Sequence, residues 1–211
     1  ALVDARGRCF DEAPPGIMIT ILGVDRGTVE EAVSRARAHG TVVISNYNTP
    51  TQHVISGEPA AVEWAAHALE DESGALATVI ERRVPMHSPL MRDVAVRFRE
   101  AIDRAPLRRP REGADYWPNV DGEAMPGASA SDIADRLERH VREPVRWQSG
   151  VDAAVAANPG ATFVEVGPGA VLFNLIGRAW RGVPRARVDG PDDRSPACHF
   201  SDTVESVRAR D

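Results

Sequence analysis

The sequence predicts an α/β protein, and three observations carry that expectation. Short β-branched runs recur along the chain: GIMITILG, TVVISNYN, QHVISG, ALATVIERRV and ATFVEV. Stretches with helical spacing of apolar residues lie between them. Glycine and proline punctuate most of the boundaries. With 211 residues, 43% of them hydrophobic, the chain can bury a sizeable core.

ALVDARGRCFDEA reads as an opening helix, and APPG breaks it. Residues 16–23 form a buried strand closed by glycine. Residues 24–40 form a helix with Val29, Val33 and Ala36 on one face, His39 near its end and Gly40 as its stop. TVVISNYNTP (41–50) is a strand running into a turn at Asn48–Pro50, and QHVISG (52–57) returns. A second helix spans 58–74, and ALATVIERRV (75–84) is the next strand. The order βαββαβ over residues 16–84 is the ferredoxin-like pattern.

Beyond it, Ser88 and Pro89 read as an N-cap and an N1 proline, opening a helix to about Arg104. Residues 105–115 are a Pro/Arg-rich loop, and YWPNVDGEAM is a short strand and turn. SASDIADRLERHV begins with capping serines, places Ile133, Leu137 and Val141 on one face and stops at Pro144. Another helix follows in VRWQSGVDAAVAANPG. ATFVEVGPG (161–169) is a buried strand ending in a glycine turn that leads into the helix 170–180. After Gly182 the chain shows little pattern, and 183–211 reads as a tail or linker.

Charge and composition exclude several classes. The net charge is −6 without a long basic run, which argues against nucleic acid as the main partner. All 25 basic residues are arginine, a bias of base composition before it is a sign of function. Cys9 and Cys198 are too few and too distant for a disulfide framework or a metal site, so a reducing cytoplasm is expected. No apolar run in these residues reaches membrane-spanning length, and no signal peptide is expected. The chain opens at Ala1 inside a helix, which suggests a fragment.

His87, in VPMHSPLM, sits where a strand gives way to a helix. The helix N-terminus disfavours an imidazolium, so His87 is expected to be neutral, as a general base requires. A buried histidine satisfied by backbone groups is the other reading of this stretch, and the commoner one. Ser88 is better read as a cap than as its nucleophile, since strand neighbours point apart. Arg6 is either a carboxylate clamp or an ordinary surface arginine. Asn46 and Asn48 are expected on one side of their strand, or are turn residues only. The turn of FVEVGPGAVL either offers backbone N–H groups to an anion or permits close packing.

Together, NYNTPTQHVISG, VPMHSPLM, EPVRW and FVEVGPGAVL resemble, in order and spacing, the malonyl-CoA:acyl-carrier-protein transacylases and polyketide-synthase acyltransferase domains. The resemblance runs from about Ala1 to Trp180. It implies an α/β-hydrolase-like body (1–15 and 85–182) with an inserted ferredoxin-like subdomain (16–84). It implies ping-pong transfer of a malonyl group from CoA to an acyl carrier protein through a serine ester. No cofactor is implied beyond malonyl-CoA as substrate and the carrier's phosphopantetheine.

Position by position, the resemblance makes His87 the base and gives the backbone carbonyl at His140 the task of orienting it. Relatives often carry Gln or Asn at that position, a difference that matters little if only the carbonyl acts. Arg6 pairs with the malonyl carboxylate. Met86 lies beside the acyl group, Asn46 and Asn48 face the cleft, and Gly167 and Gly169 line its floor. Val84-Pro85-Met86-His87 is nearer the stand-alone fatty-acid enzymes, which implies malonyl preference with weak discrimination. The family nucleophile lies in a G-H-S-x-G elbow that occurs nowhere here. GASAS (127–131) lacks the flanking strand and second glycine, so the serine is expected upstream of Ala1, in a second piece. Without that piece, strands such as ATFVEV are expected to lack partners. Arg108, Arg109 and Arg111, or Arg178, Arg181, Arg185 and Arg187, would steer an acidic carrier, or are solvated. The alternative is a non-catalytic homologue that binds carrier protein or scaffolds a synthase. A third reading takes residues 17–84 as a small-molecule-binding module with an unrelated tail.

Overall fold

Alternating isoleucines make the first strand. In β1 (Ile17–Leu22) Ile17, Ile19 and Ile21 point to one face and are buried, while Met18 is buried on the other. The computed structural model of the chain describes residues 2–189. These form two compact units, one reaching to Ala154 and one beginning at Val155.

The first unit opens with α1 (Leu2–Asp11). After β1, the Asp25 side chain accepts the Thr28 N–H and caps α2 (Arg26–Ala36), which ends in a 3-10 turn at Arg37–His39. Strands β2 (Val42–Thr49) and β3 (Gln52–Gly57) form a hairpin. Helix α3 (Pro59–Ser73) carries proline in its first turn, where no N–H is needed, and ends on Gly74 in the left-handed region. Strand β4 (Leu76–Glu81) completes an antiparallel sheet of order β2-β3-β1-β4.

Helices α2 and α3 lay Val29, Ala32, Val33, Ala36, Ala61, Val62, Ala65 and Leu69 on the isoleucines of the sheet. The sequence-predicted order βαββαβ is the observed one. The hairpin turn differs: β2 continues through Asn48 to Thr49, which leaves Pro50 and Thr51 at the bend.

A 3-10 turn (Pro89–Met91) leads into α4 (Arg92–Asp103). Helix α5 (Ala130–Arg142) starts on a capping box in which Ser129 and Asp132 bond each other's backbone N–H groups. That cap accounts for Ser129 of GASAS. Helices α4 and α5 share a second core of Met91, Val94, Ala95, Phe98, Ile102, Ala134 and Val141. Leu2, Cys9 and Phe10 of α1 pack against it. The predicted strand in YWPNVDGEAM is one isolated bridge, Tyr116 with Met125. Helix α6 (Trp147–Ala157) follows Pro144 after a short extended link.

The second unit contains β5 (Phe163–Val166), α7 (Val171–Ala179) and β6 (Arg185–Val188). The two strands pair in parallel. Two expectations are corrected here. Strand β5 is half-exposed rather than buried, and Val166 is 80% exposed. RARV, expected to lack pattern, is a strand with Ala186 buried. The remainder of the expected tail, with Cys198, lies outside the described residues. Among the described residues no helix is long and apolar enough to cross a membrane.

Candidate active site

His87 is built into a tight turn rather than onto a helix. Its φ is +59°, the left-handed region that costs a side-chain-bearing residue about 1–2 kcal/mol. Histidine is among the residues that reach this region more often than most. Neighbouring bonds hold it there. Met86 N–H donates to Val84 O at 2.9 Å and His87 N–H donates to Val141 O at 3.1 Å. Ser88 Oγ donates to Pro85 O at 2.6 Å, and Ser88 is fully buried. Ser88 occupies the N-cap position with Pro89 in the first turn, as the sequence predicts, but its hydroxyl closes the turn that carries His87 instead of bonding a helix N–H.

The His87 ring is fixed by α5. Its Nδ1 lies 2.6 Å from the backbone oxygen of His140. A carbonyl oxygen can only accept, so Nδ1 carries the proton and Nε2 of the neutral ring is left with its lone pair. Burial is the main reason for neutrality: it pushes the His87 imidazole down to about 4, against the pull of the His140 carbonyl. The positive charge of Arg6 pushes the same way. The sequence-based expectation of a neutral ring therefore holds for a different cause than the helix N-terminus.

His140 contributes more than its carbonyl. Its ring centroid lies 4.7 Å from that of His87, with the planes tilted by 50°. Burial, His87 and Arg6, in that order, push its own imidazole down to about 4. Asn119 Nδ2 stands 3.4 Å from His140 Nε2. The Asn119 carbonyl in turn accepts the Arg146 N–H at 2.8 Å.

Arg6 projects from α1, half-buried, with its guanidinium 4.3 Å from the centre of the Phe10 ring. Among the described residues no carboxylate pairs with it. Burial weakens its hold on its proton without removing its charge. The structure thus brings Arg6, His87 and His140 into one electrostatic neighbourhood.

Met86 is half-buried beside His87. Asn46 forms an isolated parallel bridge with Val145, and Tyr47 N–H donates to Val145 O at 2.9 Å. The β2 strand is thereby tied to the segment that follows His140. Asn46 Oδ1 accepts from Ser45 Oγ at 2.9 Å. Two register shifts, between Ile44 and Asn46 and between Tyr47 and Thr49, interrupt the alternation behind the expectation for Asn46 and Asn48. Tyr47 is the residue of this stretch that packs on the helix-covered core.

Gly167 and Gly169 belong to the second unit, at φ +137° and +96°. The anion reading of their turn is corrected. The Glu165 carboxylate accepts the Leu172 and Phe173 N–H groups, each at 3.0 Å, and occupies the start of α7 itself. Of the arginines proposed to steer a carrier, Arg185 lies over the Phe173 ring at 4.6 Å, while Arg108, Arg109 and Arg111 are exposed.

Sequence reasoning missed the Ser88 bond, the His140 ring contact and Asn119. Each joins residues far apart in the chain or uses a backbone acceptor that no side-chain motif encodes. RARV carried a usable signal, one apolar residue between arginines after a Gly-Val-Pro turn, but it is very short.

A neutral buried imidazole with an unprotonated nitrogen, held by a backbone carbonyl near a guanidinium that has no carboxylate partner among the described residues, suits transfer of an anionic acyl group. Residues 5–204 match the family model described as the acyl transferase domain, and the chain belongs to that family. Among its relatives is the malonyl CoA-acyl carrier protein transacylase of Bacillus subtilis. The two are 29% identical over 194 residues, which cover 90% of this chain and 60% of that protein. The acyl carrier protein S-malonyltransferase structure from Vibrio cholerae superposes with a TM-score of 0.81 at 30% identity, covering 89% of this chain and 61% of that one. A malonyl-transacylase solved in complex with its type II polyketide acyl-carrier protein gives 0.80 at 31% identity, with 90% and 61% covered. The chain spans about three fifths of the length of these relatives.

Proposed function

We propose that this chain carries the base and the carboxylate clamp of a malonyl-CoA:acyl-carrier-protein transacylase acting in fatty-acid or polyketide synthesis. The observation that carries the reading is the His87 Nδ1–H bond to the His140 carbonyl at 2.6 Å, which leaves Nε2 as the proton acceptor. We assign the serine nucleophile to a G-H-S-x-G segment outside these 211 residues, because none of them forms such an elbow.

In the first half-reaction Nε2 takes the serine hydroxyl proton as Oγ attacks the malonyl thioester. The tetrahedral intermediate collapses, the C–S bond breaks and the CoA thiolate leaves with the proton from the imidazolium. In the second half the carrier's phosphopantetheine thiol gives its proton to Nε2 and its sulfur attacks the serine ester. The serine oxygen leaves and recovers the proton. Arg6, charged and without a carboxylate partner, holds the malonyl carboxylate by parallel hydrogen bonds throughout.

We further read the βαββαβ sheet as a ferredoxin-like subdomain inserted in an α/β-hydrolase-like body, with Asn46 and Asn48 facing the cleft. Met86, flexible in shape, beside the acyl group favours malonyl with weak discrimination against a larger α-substituent. No metal or organic cofactor enters these steps.

Transfer assays of the complete enzyme test the reading. His87→Ala is expected to abolish malonyl transfer to carrier protein. Arg6→Ala should weaken malonyl transfer while sparing or improving acetyl transfer, and equal effects on both acyl groups would remove the clamp. Competition between malonyl- and methylmalonyl-CoA checks the preference, and a strong bias to the branched unit would defeat it.

A further inference from the structure

We propose that the imidazole of His140, and not its backbone carbonyl alone, positions the His87 ring. The inference rests on reading His87 as the base, and it concerns what keeps that base in register. Any residue at position 140 would supply the carbonyl. A single hydrogen bond at Nδ1 fixes one atom of the His87 ring and leaves the ring free to pivot about that bond. An aromatic surface 4.7 Å away, tilted by 50°, removes that freedom.

The His140 ring is itself anchored. An amide nitrogen can only donate, so Asn119 Nδ2–H points at a lone pair on His140 Nε2, and the proton of His140 sits on Nδ1. Asn119 is held in turn by the Arg146 N–H on its backbone carbonyl. The chain of contacts runs from Arg146 through Asn119 and His140 to His87. It uses α5 and the 116–125 segment to brace a residue whose own backbone is strained.

The groups that face His87 are few. Arg6 approaches from α1, the His140 ring from α5, and the backbone of residues 140–143 supplies acceptors. Arg6 repels a proton resting on His87. The neutral His140 ring adds no charge, but losing it would let water reach the pocket. That change favours the charged form of His87.

The test uses the complete enzyme labelled with 15N and long-range 1H–15N spectra of its imidazoles, recorded from about pH 3.5 to 8 so as to bracket ordinary histidine titration. In the unaltered protein His87 is expected in a single Nδ1–H form that titrates near 4. In His140→Ala, which keeps the carbonyl, the His87 signals should average between tautomers. Their midpoint should rise by about one pH unit, a tenfold gain in proton affinity. His140→Phe, which restores a ring without nitrogens, should return one tautomer and an acid midpoint. If His140→Ala does not fold, His140→Gln replaces it as a polar side chain without a ring. The proposal is overturned if the ringless variant matches the unaltered protein, or if His140→Phe behaves like the ringless variant. The readout is the ring itself, so this idea fails independently of the acyl-transfer reading, which the His87→Ala transfer assay judges alone.

Discussion

Between the four-stranded sheet and helices α2 and α3, the apolar core is isoleucine, valine, leucine and alanine, and Ile21, Val29, Ile55 and Val62 have no exposed surface, with His53 of β3 fully buried beside them. The neighbouring core of α4 and α5 is also apolar, yet at its margin lie the buried His87 imidazole at a positive φ, the half-buried His140 imidazole and a guanidinium without a carboxylate partner among the described residues. Each of those features costs stability when taken alone. The difference shows a division of labour within one unit. The sheet side is dominated by apolar burial, and the helical side gives up some stability to hold the His87 imidazole buried and neutral.

The largest way to break this comparison is to cut into the sheet core. Ile55→Ala, at a fully buried position on a central strand, is expected to cost about 3–4 kcal/mol in urea unfolding. Val166→Ala, 80% exposed in the second unit, should change stability by no more than about 0.5 kcal/mol.

Acid attacks the other side. In the folded chain His87 stays neutral until about pH 4, while in the unfolded chain it takes its proton near 6.5. The unfolded state therefore binds more protons in that window, and stability falls as pH drops from about 6.5 to 4. One such histidine accounts for roughly 3 kcal/mol. His140 titrates in the same direction. Urea midpoints measured across this range check the expectation, and His87→Phe should flatten the slope.

Gly16 lies where the two regions meet. A Cβ there would stand 2.5 Å from Pro85 Cβ and 2.7 Å from the Gly57 carbonyl oxygen. Gly16→Ala is expected to cost about 1–3 kcal/mol by overpacking. It should also perturb the His87 imidazole signals, because Pro85 belongs to the turn that carries that residue. An unchanged His87 spectrum would show that the turn is insulated from the sheet.

A smaller effect sharpens the helical side alone. Ser129→Ala removes the capping box of α5 and should cost about 1 kcal/mol by thermal or urea unfolding.

The strands and helices of the sheet region were legible in the sequence because each is a local pattern. Ile17, Ile19 and Ile21 alternate, Val29 and Val33 share a helical face, and Gly74 ends a helix. His87 and Arg6 were legible through motif order. The hairpin bulges around Asn46 and Asn48 were not, since register depends on the partner strand. RARV became a strand by pairing with β5, which its own four residues do not specify. The Glu165 carboxylate took the helix start that the glycine turn had suggested for an outside anion.

By itself, then, the sequence determined the order of elements, the apolar face of each and the presence of an imidazole and a guanidinium in the motifs of an acyl-transferring family. Those properties follow from residue type and spacing along a few turns of chain. Only the tertiary structure decided that His87 is neutral through burial, that its Nε2 is the open nitrogen and that the His140 ring stands against it. Those depend on dielectric surroundings and on a carbonyl 53 residues away, which no stretch of sequence contains.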